Sequence, residues 1–341
     1  MTAPQNTLKK DIPPPEADRS DALEGPVPSP VEPGAPGLDA PEISGLTRTT
    51  EDSGKAPGPG ATPPGVAKGR NLMRFLFSEV GLTFRRPRNL AMLGVLVLVP
   101  VLLGVALRAF GGPEPGDGAP GVFTQITGNG LFLTFAALSL LVQLLLPVSV
   151  AVVAGDSVAG EAGIGTLRYL LAVPVGRTRL LVVKYANAVI FCLAAVAAVA
   201  SSALLTGLLL FPAGPITLLS GGTIPMAEGL LRIGLVVLYV AAGMAALAAI
   251  SLAFSTLTEI AIGAIAATVV LVIVAQVLGV IPQLSGLRPY LLSSWWSGFD
   301  GVLRDPVATG EMGQGLLVFG AYIVIFGSIA WARFSGKDIS G

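Results

Sequence analysis

From Leu90 onward the chain is built of long apolar runs separated by short polar breaks. Six runs stand out: Leu90–Phe110, Gly130–Ala154, Leu180–Phe211, Met226–Phe254, Ile260–Ile281 and Leu316–Trp331. A helix needs about 20 mostly apolar residues to cross the hydrocarbon of a bilayer. Five runs meet that length, and the last reaches it once Met312–Leu317 is joined to it. In lipid an unpaired backbone N–H or C=O costs several kcal/mol, and a helix pairs them all within one segment. The pattern predicts an all-α membrane protein with six transmembrane helices.

A different periodicity precedes the first run. Over 69–86, at about 100° per residue, Leu72, Met73, Phe75, Leu76, Phe77, Val80, Leu82 and Phe84 share one broad arc. Arg70, Asn71, Arg74, Ser78, Gly81 and Arg85 share the other, while Glu79, Thr83 and Arg86 break the division. Such a helix, basic on its polar face, is expected to lie in the membrane interface, with Arg70, Arg74 and Arg85 as anchors. Pro87 ends it. Residues 1–68 have no apolar period: up to Val66 they hold 14 of the 27 prolines and ten acids against five bases. A segment of this kind buries too little apolar surface to offset its ordering entropy, so a disordered, cytoplasmic tether is expected, followed by a membrane domain over 69–341.

Composition narrows the function. The chain is 52% hydrophobic and 12% charged, with a formal net charge of zero, so nothing points to nucleic acid. Histidine is absent, which removes the commonest general base and metal ligand. The single cysteine, Cys192, sits in an apolar run and reads as a small buried hydrophobe. Lysine and arginine are segregated: Lys68–Arg88, the loop after the second run and the C-terminus together carry twelve, against four on the other side (Arg108, Arg232, Arg288 and Arg304). By the positive-inside rule both termini and that loop are cytoplasmic. Charges within the runs (Arg108, Arg232, Glu259) lie near predicted ends, where they can snorkel, as can Lys184. Small residues crowd "AAGMAALAAIS" and "AIGAIAAT", which permits close helix packing. In the last outer loop, Trp295 and Trp296 read as anchors at headgroup level.

The loop 155–178, "GDSVAGEAGIGTLRYLLAVPVGRT", is too long and too patterned for a plain connection. Asp156 or Ser157 can cap a helix, Glu161 lies near its favourable N-terminal end, and Pro174 stops it. Ile164, Leu167, Leu170 and Leu171 form an apolar stripe on a helix of about Asp156–Val173, suited to a soluble partner. The positions Asp156, Gly160, Glu161, Gly165, Thr166, Leu167, Leu170, Leu171, Pro174 and Arg177, with Lys184 beyond, resemble the signature of type-2, export-type ATP-binding-cassette permeases. The interfacial helix, the six runs and the terminal "ARFSGKDISG" are similar to that family as well.

The resemblance implies a permease that pairs in a bacterial cell membrane with a second copy or a paralogous permease. Two separate ABC ATPase subunits would press on its coupling helix, with Asp156, Glu161, Ile164, Gly165, Thr166, Leu167, Leu170, Leu171, Pro174 and Arg177 as the coupling residues. ATP and Mg belong to those partners. The chain has no G-x-x-x-x-G-K-[ST] phosphate cradle, is expected to bind no cofactor itself and is not an enzyme. Short helices capping the pathway are implied for the last outer loop. Three other readings stand beside this one. An ion- or proton-coupled carrier would call for acids at membrane depth or broken helices. A non-transporting scaffold needs neither. A lipid-acting enzyme would need Asp300, Asp305 and Glu311 as working carboxylates, where solvated loop acids are the simpler reading.

Overall fold

A computed structural model of the chain describes residues 68–110, 129–163, 176–212, 214, 216–217, 222–304, 307 and 309–336. The expected tail, 1–68, lies outside the described residues apart from Lys68. Everything described belongs to one unit, Thr62–Gly341. Its α-helices are α1 (Lys68–Arg85), α2 (Pro87–Phe110), α3 (Phe132–Leu141), α4 (Leu145–Gly163), α5 (Arg177–Leu210), α6 (Met226–Leu257), α7 (Ala261–Val280) and α8 (Thr309–Gly336). All but α1 and α3 are long and apolar enough to cross a membrane. The protein is an all-α, multi-pass membrane protein whose spans are preceded by the amphipathic helix α1. A two-residue antiparallel pairing, Ile216 with Ile224 and Thr217 with Thr223, joins the segments between α5 and α6.

The helix order follows from side-chain size. In α6, 72% of the most apolar window is buried, against 17% in α7 and in α8, so α6 is the central post and the latter two are outer staves. Its alanines and Gly243 let neighbours approach: a Cβ at Gly243 would stand 3.1 Å from both Phe319 of α8 and Trp296. Packing of small against large keeps an interior dense without a solvent-driven force between helices. At α5 the backbone itself is in contact, since a Cβ on Gly207 would lie 2.0 Å from the Gly130 carbonyl oxygen.

The second span departs from expectation. Instead of one helix over Gly130–Ala154, α3 ends at Leu141 and α4 begins at Leu145, with a turn at 142–144. Pro147 supplies the reason. It has no N–H for the carbonyl four residues back, that of Gln143, and its ring crowds that carbonyl. The freed Gln143 carbonyl accepts from the side-chain amide of Gln276 in α7 instead.

The end of the bundle opposite α1 carries three 3₁₀ helices, Pro282–Tyr290, Leu292–Trp295 and Gly298–Leu303. Two side-chain expectations are corrected there. Trp296 is 1% exposed, packed inward against Gly243, so its ring is core and not a headgroup anchor. Trp295 remains partly exposed and donates from Nε1 to the Pro289 carbonyl at 2.8 Å. Arg232 does not snorkel either. Its buried guanidinium donates to the carbonyls of Val302 (2.6 Å) and Arg304 (3.0 Å), which end the third 3₁₀ helix, and pairs with Glu228 at 2.7 Å.

Candidate functional site

Two of the three residues that broke the amphipathic division, Glu79 and Thr83, turn out to be the inward face of α1, while Arg86 stands exposed in the bend just after it. Glu79 and Thr83 are four apart, which stacks them on one side of the helix. That side meets α5, where Lys184 and Asn187 reach it. Arg74 and Arg85 are exposed on another, beside the exposed Met73 and Phe77, and Arg70 lies in the first turn of α1. Phe84 packs on Phe191 of α5 with ring centroids 5.9 Å apart, setting α1 against that span.

Asp156 and Glu161, expected on a separate helix under the bundle, stand on the last turns of α4, continuous with the span. Asp156 Oδ2 accepts from Arg86 Nη1 at 2.8 Å and from Arg88 Nη2 at 2.7 Å. The glycine of the motif has a steric role here. A Cβ at Gly160 would lie 2.4 Å from Asp156 Oδ1, so the carboxylate can fold back along the helix only over a residue with no side chain. Glu161 Oε1 accepts from Lys184 Nζ, which also donates to Glu79 Oε2 at 2.9 Å.

Lys184 is 3% exposed, so it does not snorkel to water. An isolated ammonium in such a place would carry a desolvation cost of several kcal/mol, and close carboxylates offset it. Glu79 from α1 and Glu161 from α4 provide that compensation. With Asp156, Arg86 and Arg88, the junction balances three acids against three bases across α1, α2, α4 and α5.

Neutral groups complete it. Asn187 Nδ2 of α5 donates to Thr83 Oγ1 at 2.8 Å, and Asn89 Nδ2 of α2 donates to the Thr83 carbonyl at 2.9 Å. A polar cleft of about 40 Å³ runs between these side chains. Behind it, Ser255 of α6 grips α4. Its hydroxyl donates to the Gly155 carbonyl (2.7 Å) and accepts from the N–H groups of Val158 (3.1 Å) and Ala159 (2.9 Å). One donor and two acceptor sites are all a hydroxyl has, so Ser255 is fully used.

Of the remaining motif residues, Arg177 opens α5 and donates from Nη1 to the Ser335 carbonyl at the end of α8, at 2.9 Å. Ile164, Gly165, Thr166, Leu167, Leu170, Leu171 and Pro174 lie outside the described residues, and so does the expected apolar stripe. Among the described residues no cluster of three or more His, Cys, Asp or Glu could hold a metal ion. Sequence reasoning missed Glu79, Thr83, Arg86, Arg88, Asn89 and Asn187 as members of this junction. Glu79 and Thr83 carried a signal, as misfits on the wheel of α1. Arg88, Asn89 and Asn187 carried none, because only the crossing of helices brings them together.

A family model described as Protein of unknown function (DUF2705) matches residues 119–340, the stretch that holds α3 through α8. No curated protein matches the chain.

Proposed function

The chain belongs to the family described as Protein of unknown function (DUF2705), and we propose that it is the membrane-spanning permease subunit of an ATP-binding-cassette exporter. In this reading two permeases, identical or paralogous, form a pathway through a bacterial cell membrane with their termini in the cytoplasm. Two separate ATPase subunits bind ATP and Mg beneath them. The chain does no covalent chemistry; it changes shape when the ATPases press on the loop between α4 and α5.

One observation carries the reading. The acidic residues of the permease-like motif lie in the last turns of a spanning helix and are ion-paired to the bend after α1, to the start of α2 and to α5, whose Lys184 also holds Glu79 of α1. Force applied to the segment that follows Gly163 therefore has a bonded route into α2 and α5 and, through Lys184, to Glu79 of α1. A loop without a mechanical role needs no such bracing. The segregation of twelve basic residues against four supports the same orientation.

The test uses Leu167, in the proposed contact with the ATPase. Glu161 is unsuitable, because its carboxylate holds Lys184 and a change there disturbs folding and coupling together. Leu167→Asp buries an unpaired charge in the contact, which typically costs 3–5 kcal/mol. It is expected to insert and melt like the parent while losing co-purification of the ATPase and ATP-driven transport in liposomes. A Leu167→Asp protein that binds the ATPase and transports normally sinks the reading.

A second reading, an ion- or proton-coupled carrier, draws support from the break in the second span, since such carriers use discontinuous helices. The acids of the described spans lie at helix ends, which favours the first reading. Transport that persists without ATP and collapses with the ion gradient would decide for the carrier.

A further inference from the structure

The turn between α3 and α4 is exposed where a membrane protein should show only helix. Leu144 is 51% exposed and Gln143 beside it is exposed too. Counting back along α4 from Asp156, which meets the basic residues at one face of the bundle, Gln143 lies roughly 20 Å deep at 1.5 Å per residue. In a hydrocarbon layer of about 30 Å that is within the membrane, in the half toward the 3₁₀ helices. Irregular backbone at such depth is tolerated where it is buried in protein or lines a water-filled cavity, and not against lipid.

The polar side chains that meet at the turn, Gln143, Gln276 and Ser297, are uncharged. Gln143 Nε2 donates to Ser297 Oγ at 3.2 Å, and the Gln276 amide donates to the Gln143 carbonyl. A backbone carbonyl can only accept, so the Gln276 nitrogen must face it and Oε1 must face away. That oxygen makes no hydrogen bond among the described residues. Three elements far apart in the chain thus converge on one spot: the break in the second span, α7, and the short bend between the second and third 3₁₀ helices. No basic side chain stands in this group, so an anion finds little to bind.

We propose that the break between α3 and α4 lines a water-filled site in which Gln276 Oε1, beside Gln143 and Ser297, accepts hydrogen bonds from a ligand group that donates them, a hydroxyl or an ammonium. This rests on the transport reading for the ligand's identity as cargo, whereas the wetness of the site does not depend on it. The broken span is then part of the route, and the cargo presents donors there in preference to anionic groups.

Thiol accessibility tests this in the full-length protein in membranes, on a Cys192→Ala background. Thiols react as thiolates, which form in water and not in hydrocarbon. Leu144→Cys is expected to react with both a cationic (ethylammonium) and an anionic (ethylsulfonate) methanethiosulfonate and, once each rate is divided by that reagent's rate with a free thiol in solution, about tenfold faster with the cation, a difference of roughly 1.4 kcal/mol. Gln276→Leu should abolish that preference while labelling continues. Val324→Cys, on the exposed face of α8, is the lipid-facing control and should react with neither reagent. Should Leu144→Cys misassemble, Ser297→Cys reports on the same site.

Leu144→Cys that reacts with neither charged reagent, whether or not it is found cross-linked to a second copy, overturns the proposal. So does equal reactivity toward cation and anion. A wet, cation-preferring site in a protein that recruits no ATPase leaves the site standing and removes the exporter reading. A dry site in a protein that does recruit one has the opposite effect.

Discussion

Gly160 and Lys184 show how single side chains set the junction. A glycine inside a helix costs about 1 kcal/mol relative to alanine, yet a Cβ at position 160 would press on Asp156 Oδ1 at 2.4 Å. Gly160→Ala thus gains in helix propensity and loses the bridge from Asp156 to Arg86 and Arg88. Both arginines are about half exposed, so the bridge is screened and worth little more than about 1 kcal/mol. The two effects nearly cancel in the parent. In an Asp156→Ala background the loss is absent, and Gly160→Ala should raise the melting transition in detergent, with a coupling of about 1 kcal/mol between the sites. Additive effects of the two changes would show that the glycine does not serve the carboxylate. Lys184 poses the opposite case, a cation that cannot reach water. Lys184→Gln leaves Glu79 and Glu161 facing each other uncompensated, and should cost about 3–5 kcal/mol. Glu79→Gln or Glu161→Gln leaves one partner in place and should cost less. A Lys184→Gln protein that melts with the parent contradicts this.

The second span teaches the same lesson for a whole element. Its hydropathy reads as one continuous run, because hydropathy does not register a missing N–H. Pro147 divides the span, and Gln276 of α7 takes the carbonyl that proline frees. Pro147→Ala returns a donor to the Gln143 carbonyl and so makes Gln276 redundant. Gln276→Leu should then be destabilising by about 1–2 kcal/mol in the parent and nearly neutral in the Pro147→Ala background, read as melting shifts in a double-mutant cycle. If Gln276→Leu costs the same in both, the amide does not serve the broken ladder. The lone hydroxyl of Ser255 plays a comparable part further along α4, tying that helix to α6 just where the motif begins.

Across the molecule, α6 carries the core while α7 and α8 present apolar faces outward, as spans at the edge of a bundle do. Because this architecture lies within Thr62–Gly341, a truncation starting at Lys68 should insert and melt like the full chain. Loss of insertion would make the proline-rich segment more than a tether. The number of spans and the helix before them were legible in the chain because lipid imposes one local rule: about 20 apolar residues in a row must be a helix. That rule acts segment by segment and needs no partner. The fate of individual polar groups obeys no local rule. Trp296 became core because Gly243 left room for its ring, and Arg232 capped a 3₁₀ helix some seventy positions away. Glu79 and Glu161, far apart along the chain, share one ammonium because α1 and α4 both lie against α5. Burying a charge is unfavourable until its partner is in place, and only the packing of helices puts it there.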